Sequence, residues 1–393
     1  MAWSAAPALG GRFAAARGVA AAMYPTRRRP GATYRGFAKA LARRSAALLA
    51  AVAGHLRRTL EREARAAGQW LTHDGRAVLG VDATRLDCPR TAANEAAIGA
   101  AGRRGSGPQL LLTMLFHVAS NVPWAFARGD ARAGERAHPL GLLDALPARA
   151  LLLADAGFVG YDFFAAVLAS DRQFLVRVGA NVRLLRDLDG GRAERRGADL
   201  VWLWPAGARR QDRPPLALRL VTLVDGRNRR AHLLTSALDA GELTDGRAGE
   251  LYALRWSVEV KFRALKQTLG RRKLLAAAPA TARAEADWSA VGLWMLELMC
   301  WRRSRARARG VAAALRAVRG AMAAAGPARR RGRRLADLLA DAVPDAYRRP
   351  GPKEARAWPH KKRDRPPGEP RARTASPEEV AHAARLAAAE RAA

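Results

Sequence analysis

The sequence predicts an α/β core carrying a β-rich insertion, flanked by a helical N-terminal region and a basic C-terminal tail that is part helical and part disordered. Three observations predict it. Between Gly75 and Val178, short apolar runs alternate with helix-like stretches, the pattern of an α/β layer. From Asn181 to about Leu238, strand-like runs (VWLW, LALRLVTLV, RAHLLTS) are separated by Gly, Asp, Arg and Pro turns. Outside these limits alanine, leucine and arginine recur at helical spacing, until the chain past Pro344 turns rich in Pro, Arg and Lys.

Taken in order, residues 1–75 are helical and basic, with thirteen Lys/Arg against three acids and Arg27, Arg28 and Arg29 adjacent. Such a lead-in reads as a DNA-contacting module. A packing arm with solvated arginines accounts for the same pattern, and no sharp helix-turn-helix decides between them. RAVLGVDATRLD begins the core as a buried strand delivering Asp82 to its C-terminal end. LLLTMLFHVAS (110–120) and VPWAFARG (122–129) are two further strands, and GERAHPLGLLDALPA is a helix. RALLLADAGFVGYD repeats the first theme: leucines ending in Asp155, a Gly turn, then the helix YDFFAAVLAS. QFLVRV (173–178) is another buried strand. After the insertion, Thr244 and Asp245 cap a long helix over about 246–269 that stops at Gly270. A second helix follows at about 283–302, and Arg302 to Arg334 is very basic helix. The expected domains are 1–75, 76–300 with its insertion at about 181–240, 301–343, and a mostly disordered 344–393 with a short last helix at 376–391.

Charge narrows the function. Lys and Arg total 69 against 35 Asp and Glu, a formal charge of +34. The commonest polyanion able to neutralise this is nucleic acid; a bias towards Arg and Ala alone would lift the acids too. The two cysteines, Cys88 and Cys300, stand far apart in no metal-ligand spacing, which argues against a disulfide framework or structural zinc and suits a reducing cytosol. The first sixteen residues hold one arginine and no continuous apolar run, so no signal peptide is expected. No stretch reaches the roughly 20 apolar residues of a membrane span; the nearest, Ala290–Trp301, carries Glu297. A soluble, cytoplasmic protein is expected. The seven histidines are scattered and none is assigned a role, and GRRGSG (102–107) lacks the GK[ST] ending of a nucleotide loop.

The informative segment is LYALRWSVEVKFRALKQTLG, 251–270. At about 100° per residue, Tyr252, Arg255, Glu259 and Lys266 fall within an arc of about 60°, while Leu254, Val258, Phe262, Leu265 and Leu269 form a separate apolar stripe. A carboxylate, two cations and a phenol in one line suit a phosphate backbone together with a metal ion. Read singly, each has a plainer explanation: Asp82 and Asp155 as strand-end turn or cap residues, Arg255 and Glu259 as an exposed i,i+4 pair, Tyr252 as packing.

The spacing Y-x2-R-x3-E-x6-K of these residues resembles the YREK signature of bacterial insertion-sequence transposases of the insertion-sequence-four kind, members of the DDE superfamily with a ribonuclease-H-like core. VDATRLDCPRTAAN is similar to the family's first-aspartate segment, with Asp82, Thr84 and Asn94 in place. LLLADAGFVGYD is similar to its second-aspartate segment, with Asp155 followed by Gly157, Phe158 and Tyr161. The β-rich stretch sits where this family inserts a β-subdomain. The resemblance covers about residues 75–300.

The resemblance implies a cut-and-paste DNA transposase. Asp82, Asp155 and Glu259 would hold two magnesium ions (manganese as a substitute) about 3.5–4 Å apart, hard cations that want carboxylate oxygens. Arg255 and Lys266 would grip phosphates near the scissile bond, and Tyr252 would donate to a phosphate. Thr84 and Asn94 would support the first aspartate. Trp202 and Trp204 alternate in VWLWP; either they pack the insertion's own small core, or one receives a flipped base beside the cleavage point, as in some relatives. The implied partners are double-stranded DNA (the element's terminal inverted repeats and a target) and a second copy of the chain in a synaptic homodimer. The rivals are a nuclease of the same fold without strand transfer, a domesticated or decayed DNA-binding copy, and a basic RNA-binding protein, for which stacking signatures are missing.

Overall fold

The computed structural model describes residues 1–392 apart from 25, 27–30, 102–105, 135, 191–198, 225–229, 256, 306–309, 324–334 and 343–367. The expected disorder of the tail, the arginine cluster at 27–29 and Trp256 lie largely or wholly outside the described residues. The chain forms two compact units, each assembled from separate stretches: 1–71, 82–134 and 257–347 in the first, 72–81, 135–256 and 348–393 in the second. Strand β2 (Arg76–Asp87) begins in the second unit and ends in the first. Together they make a mixed α/β protein with a large sheet.

The first unit is organised around helix α8 (Pro279–Ser304), which starts on a proline at its first turn, where the missing N–H costs nothing. Trp294 and Trp301 on α8 are fully buried. The long helix α2 (Tyr34–Ala66) packs on it, with Trp288 Nε1 donating to Ser45 Oγ at 3.0 Å. Strand β3 (Gln109–His117) pairs antiparallel with β4 (Val122–Gly129), with an irregularity between Leu115 and Phe116. One apolar core joins Leu86 of β2, Phe116 of β3, Phe262, Leu265 and Leu293. Helices α9 (Val311–Ala323) and α10 (Leu335–Ala342) add Leu315 and Leu339 to it. The basic region after residue 301 therefore packs through its leucines. The helical start of the chain packs here too, since Trp3 Nε1 donates to the Gly292 carbonyl of α8 at 2.9 Å.

The second unit is a sheet. Strands β5 (Ala150–Ala154) and β6 (Gln173–Val178) lie parallel to each other, and β5 lies parallel to the first half of β2. The ALLLA of β5 is buried throughout, as an inner parallel strand covered on both faces requires. The insertion strands β7 (Arg183–Arg186), β8 (Leu200–Leu203), β9 (Leu216–Val224) and β10 (Arg230–Thr235) extend this sheet, because β10 pairs antiparallel with β6. The order is β11-β7-β8-β9-β10-β6-β5-β2, with β11 (Arg371–Thr374) running parallel to β7. The last described helix, Pro377–Ala392, follows β11. Its first turn is held by Glu379, which pairs with both Arg373 and Arg209.

Three expectations are corrected. The segment expected as a helix before β5 is a 3-10 turn, His138–Ala145. Strand β2 runs five residues beyond Asp82: the unbroken buried run ends at Val81, but strand geometry continues to Asp87. The helix expected over 246–269 is described as α6 (Asp245–Arg255) and α7 (Ser257–Arg263) on either side of residue 256, which lies outside the described residues, and it gives way to a π-turn over Ala264–Thr268. Among the described residues no helix is long and apolar enough to cross a membrane.

Candidate active site

In the first unit, β2 presents Asp82 half-buried, its Oδ1 accepting from the Ala83 N–H at 2.8 Å. Glu259 stands half-buried in the first turn of α7, beside the buried Val258 and Phe262 that seat the helix in the core. Lys266 lies in the π-turn. There Leu269 N–H bonds to the Ala264 carbonyl, five residues back, and Gly270 turns left-handed at φ +65° to end the helix. The helical wheel at about 100° per residue stops applying at the π-turn, because the wider turn re-aims Lys266.

The chain then folds back onto β2. The Asp87 N–H donates to the Arg272 carbonyl at 3.0 Å, and the Leu274 N–H donates to the Asp87 carbonyl at 2.7 Å. This backbone clamp places Lys266 in the field of two acids. Burial pushes its ammonium below the usual lysine range, while Asp87 and Asp82 pull it back up and Arg272 lowers it further. Asn94 is fully buried, and its amide donates to the carbonyls of Pro89 (3.0 Å) and Ala276 (3.3 Å). It is a strut between the exit of β2 and the loop behind Lys266. Thr84 is half-buried on β2, two residues from Asp82. Asp87 itself, held by Gln109 Nε2 at 2.8 Å, escapes sequence reading; the only signal for it is a second acid on the Asp82 strand.

In the second unit, Asp155 follows β5 directly and caps a 3-10 turn, Ala156–Phe158, accepting from the Gly157 N–H at 2.8 Å. A Cβ at Gly157 would stand 3.0 Å from Asp155 Oδ1, so glycine leaves that carboxylate room. Helix α6 carries Tyr252 and Arg255, the guanidinium 5.5 Å from the phenol ring centre, within cation–π range. Burial raises the Tyr252 phenol; Arg255 and Arg177 lower it and Asp155 raises it. These charges therefore share one neighbourhood, to which β6 adds the unforeseen Arg177. Arg255 is only 7 % exposed, so it lies beneath the surface instead of standing on an open ridge.

Trp202 and Trp204 are buried at 7 % and 3 % exposure. Trp204 donates to the Arg213 carbonyl at 2.7 Å and is covered by the His382 ring at 5.0 Å. Both rings are thus buried in packing, that of Trp204 partly against the C-terminal helix. Among the described residues, no group of three or more His, Cys, Asp or Glu side chains is assembled to hold a metal ion. What each unit supplies is carboxylate oxygens, the donor type hard divalent cations take, beside cations suited to phosphate.

Comparison with known proteins places these residues within a family. Transposase InsG for insertion sequence element IS4, from Escherichia coli (strain K12), is 28 % identical over 211 residues, which cover 51 % of this chain and 46 % of that protein. The match thus spans just under half of that relative's length. Among solved structures, the cryo-EM structure of the piggyBac transposase synaptic complex with hairpin DNA aligns with 70 % of this chain and 59 % of that one, at 13 % identity and a TM-score of 0.36. The model of the family described as Transposase DDE domain matches residues 73–295, a stretch that begins just before β2 and ends within α8, and so contains Asp82, Asp155 and Glu259. With more than half of its length accounted for in this way, the chain belongs to the DDE transposase family.

Proposed function

We propose that the protein is a cut-and-paste DNA transposase, in which Asp82, Asp155 and Glu259 hold two divalent ions, magnesium or manganese. One observation carries this reading. In the parallel register of β2 and β5 the last partners are Gly80 and Leu153, and two residues beyond each partner comes an aspartate, Asp82 or Asp155. Acids that follow two paired parallel strand segments in the chain are the carboxylates such a site would need to gather. The antiparallel β3–β4 hairpin and, in the second unit, the parallel run of β5 and β6 with the start of β2 support a ribonuclease-H-like core.

Divalent ions so held would offset charge on the attacking and leaving oxygens of a phosphodiester. The chain's own groups do the rest. Lys266, drawn towards Asp82 and Asp87, supplies a point charge to a phosphate beside the acids. Tyr252 offers a phenol donor next to Asp155. Arg255, stacked on that phenol, fixes its position and adds positive field from below the surface. The net charge of +34 serves the non-specific hold on DNA. The DNA is the inverted repeats of the chain's own element, bridged by a homodimer, and then a target; the place of action is the bacterial nucleoid.

The test is cleavage of duplex DNA carrying the ends of the element, with magnesium present or chelated, by the wild-type chain and by Glu259→Ala. Cutting should require the ion and fall at least about 100-fold in the variant. Cutting by Glu259→Ala at the wild-type rate would sink the mechanism. Joining of a pre-cut 3′ end to target DNA separates a transposase from a nuclease of the same fold.

A further inference from the structure

We propose that the cavity between α1 (Leu9–Met23), α2 and α8 is a binding site for an amphiphilic organic anion, a carboxylate or sulfonate head on an apolar body. The cavity holds about 450 Å³ and lies within the first unit, walled by Trp3, Phe13, Phe37, Leu41, Trp288 and Met295. Apolar clefts of this size with a few placed polar groups are the form of small-molecule sites.

Positive charge is concentrated at this lining. Arg271 is 2 % exposed. Its Nε donates to Ser289 Oγ and its Nη2 to the Ala2 carbonyl, each at 2.9 Å, while the buried Nη1 has no hydrogen-bond partner among the described residues. Arg12, 9 % exposed, brings its Nη1 to 3.7 Å from Glu285 Oε1. Arg319 donates to the Trp3 carbonyl at 2.7 Å. Glu285 is the acid that faces Arg12 and Arg271, and it is already engaged: its Oε2 accepts the N–H groups of Leu275 (2.8 Å) and Ala276 (2.9 Å). Burial, and after it Arg12, push Arg271 down to about 10, with Glu285 opposing, so it remains a cation at neutral pH. A buried cation with an unmet N–H gains most from an anionic acceptor.

A nucleic-acid backbone does not fit this site. It needs an exposed basic track with stacking platforms, whereas Arg12 and Arg271 are only 9 % and 2 % exposed beside an apolar lining. The occupant has to bring its charge in on an apolar body.

The experiment is a fluorescence titration of the full chain with 1-anilinonaphthalene-8-sulfonate, displaced by decanoate, by decanol, and by a short DNA duplex. Decanoate should displace the dye at concentrations about tenfold or more below decanol, since a charge-assisted hydrogen bond separates them, and it should raise the melting temperature. Arg271→Met should bring decanoate down to the level of decanol. Ala16→Phe fills the cavity from α1 and leaves every cation in place; it should abolish displaceable binding while its circular-dichroism melt stays that of the wild type. Equal potency of decanoate and decanol, binding retained in Ala16→Phe, or displacement by the duplex and not by decanoate would each overturn the proposal.

Discussion

At the end of β3, His117 is fully buried and stacked on Trp70, the ring centres 4.6 Å apart. Its Nε2 accepts from the Leu71 N–H at 3.3 Å, and its Nδ1 lies 2.9 Å from Ser120 Oγ. A second ring proton would point at an N–H that is already a donor, so the neutral ring is the one that fits. Burial holds its pKa at about 4, below the ordinary 6.5. The depressed native value fixes the sign: above about pH 6.5 the ring is neutral in both states and stability is whole. As pH falls from about 6.5 towards 4, the unfolded chain takes up the proton first, and up to about 3 kcal/mol is lost. Urea unfolding at pH 7.5 and pH 5 should show this loss in the wild type and a clearly smaller one in His117→Phe. Equal losses in the two chains would remove His117 from the account. Sequence reading leaves this histidine without a role because its partners, Leu71 and Trp70, are about fifty residues away. The same distance hides Asp87 and Arg177. Asp82, Asp155 and Glu259 stand out in the sequence because the apolar runs before the two aspartates and the helical spacing around the glutamate are local signals.

Lys261 and Glu297 fasten α7, the element that carries Glu259, to α8. They are 2 % and 1 % exposed, with Nζ 2.5 Å from Oε1. Glu297 also explains how an otherwise apolar stretch of α8 tolerates an acid in its core. Removing one partner strands the other as a buried charge, at about 3–5 kcal/mol. Glu297→Leu alone should therefore lower the denaturant midpoint sharply, while Lys261→Met with Glu297→Leu should recover most of the loss. A double variant as unstable as the single would show that the helices do not depend on this pair. The elements themselves were legible in unequal measure. Apolar runs mark β3, β5 and β6 because these strands are buried on both faces. Burial alone misplaces the end of β2, since hydrogen bonding carries the strand on to Asp87. The π-turn over Ala264–Thr268 has no periodic signature, because it is set by the closure at Gly270 and by the pairing of Asp87 with Arg272 and Leu274.

Across the whole molecule the controlling quantity is charge. The described arginines divide into two kinds. Some, such as Arg128 with Asp287 at 3.0 Å, are consumed in holding the fold. Others, such as Arg44 and Arg303, stand exposed on helices. Composition shows the surplus of +34 but not this division, which depends on which acids folding brings near. Only the exposed group can release counterions from DNA, so the salt dependence of binding counts the cations that act on the partner and not those that act on the fold. On the proposed function, log affinity for a short duplex should fall linearly with log salt concentration at a slope of about −5 or steeper, the value for six or more phosphates neutralised. Fluorescence anisotropy between about 50 and 200 mM salt measures it. A slope near zero would mean that the surplus is spent within the protein, and the charge would then cease to argue for nucleic acid, whatever the family of the fold.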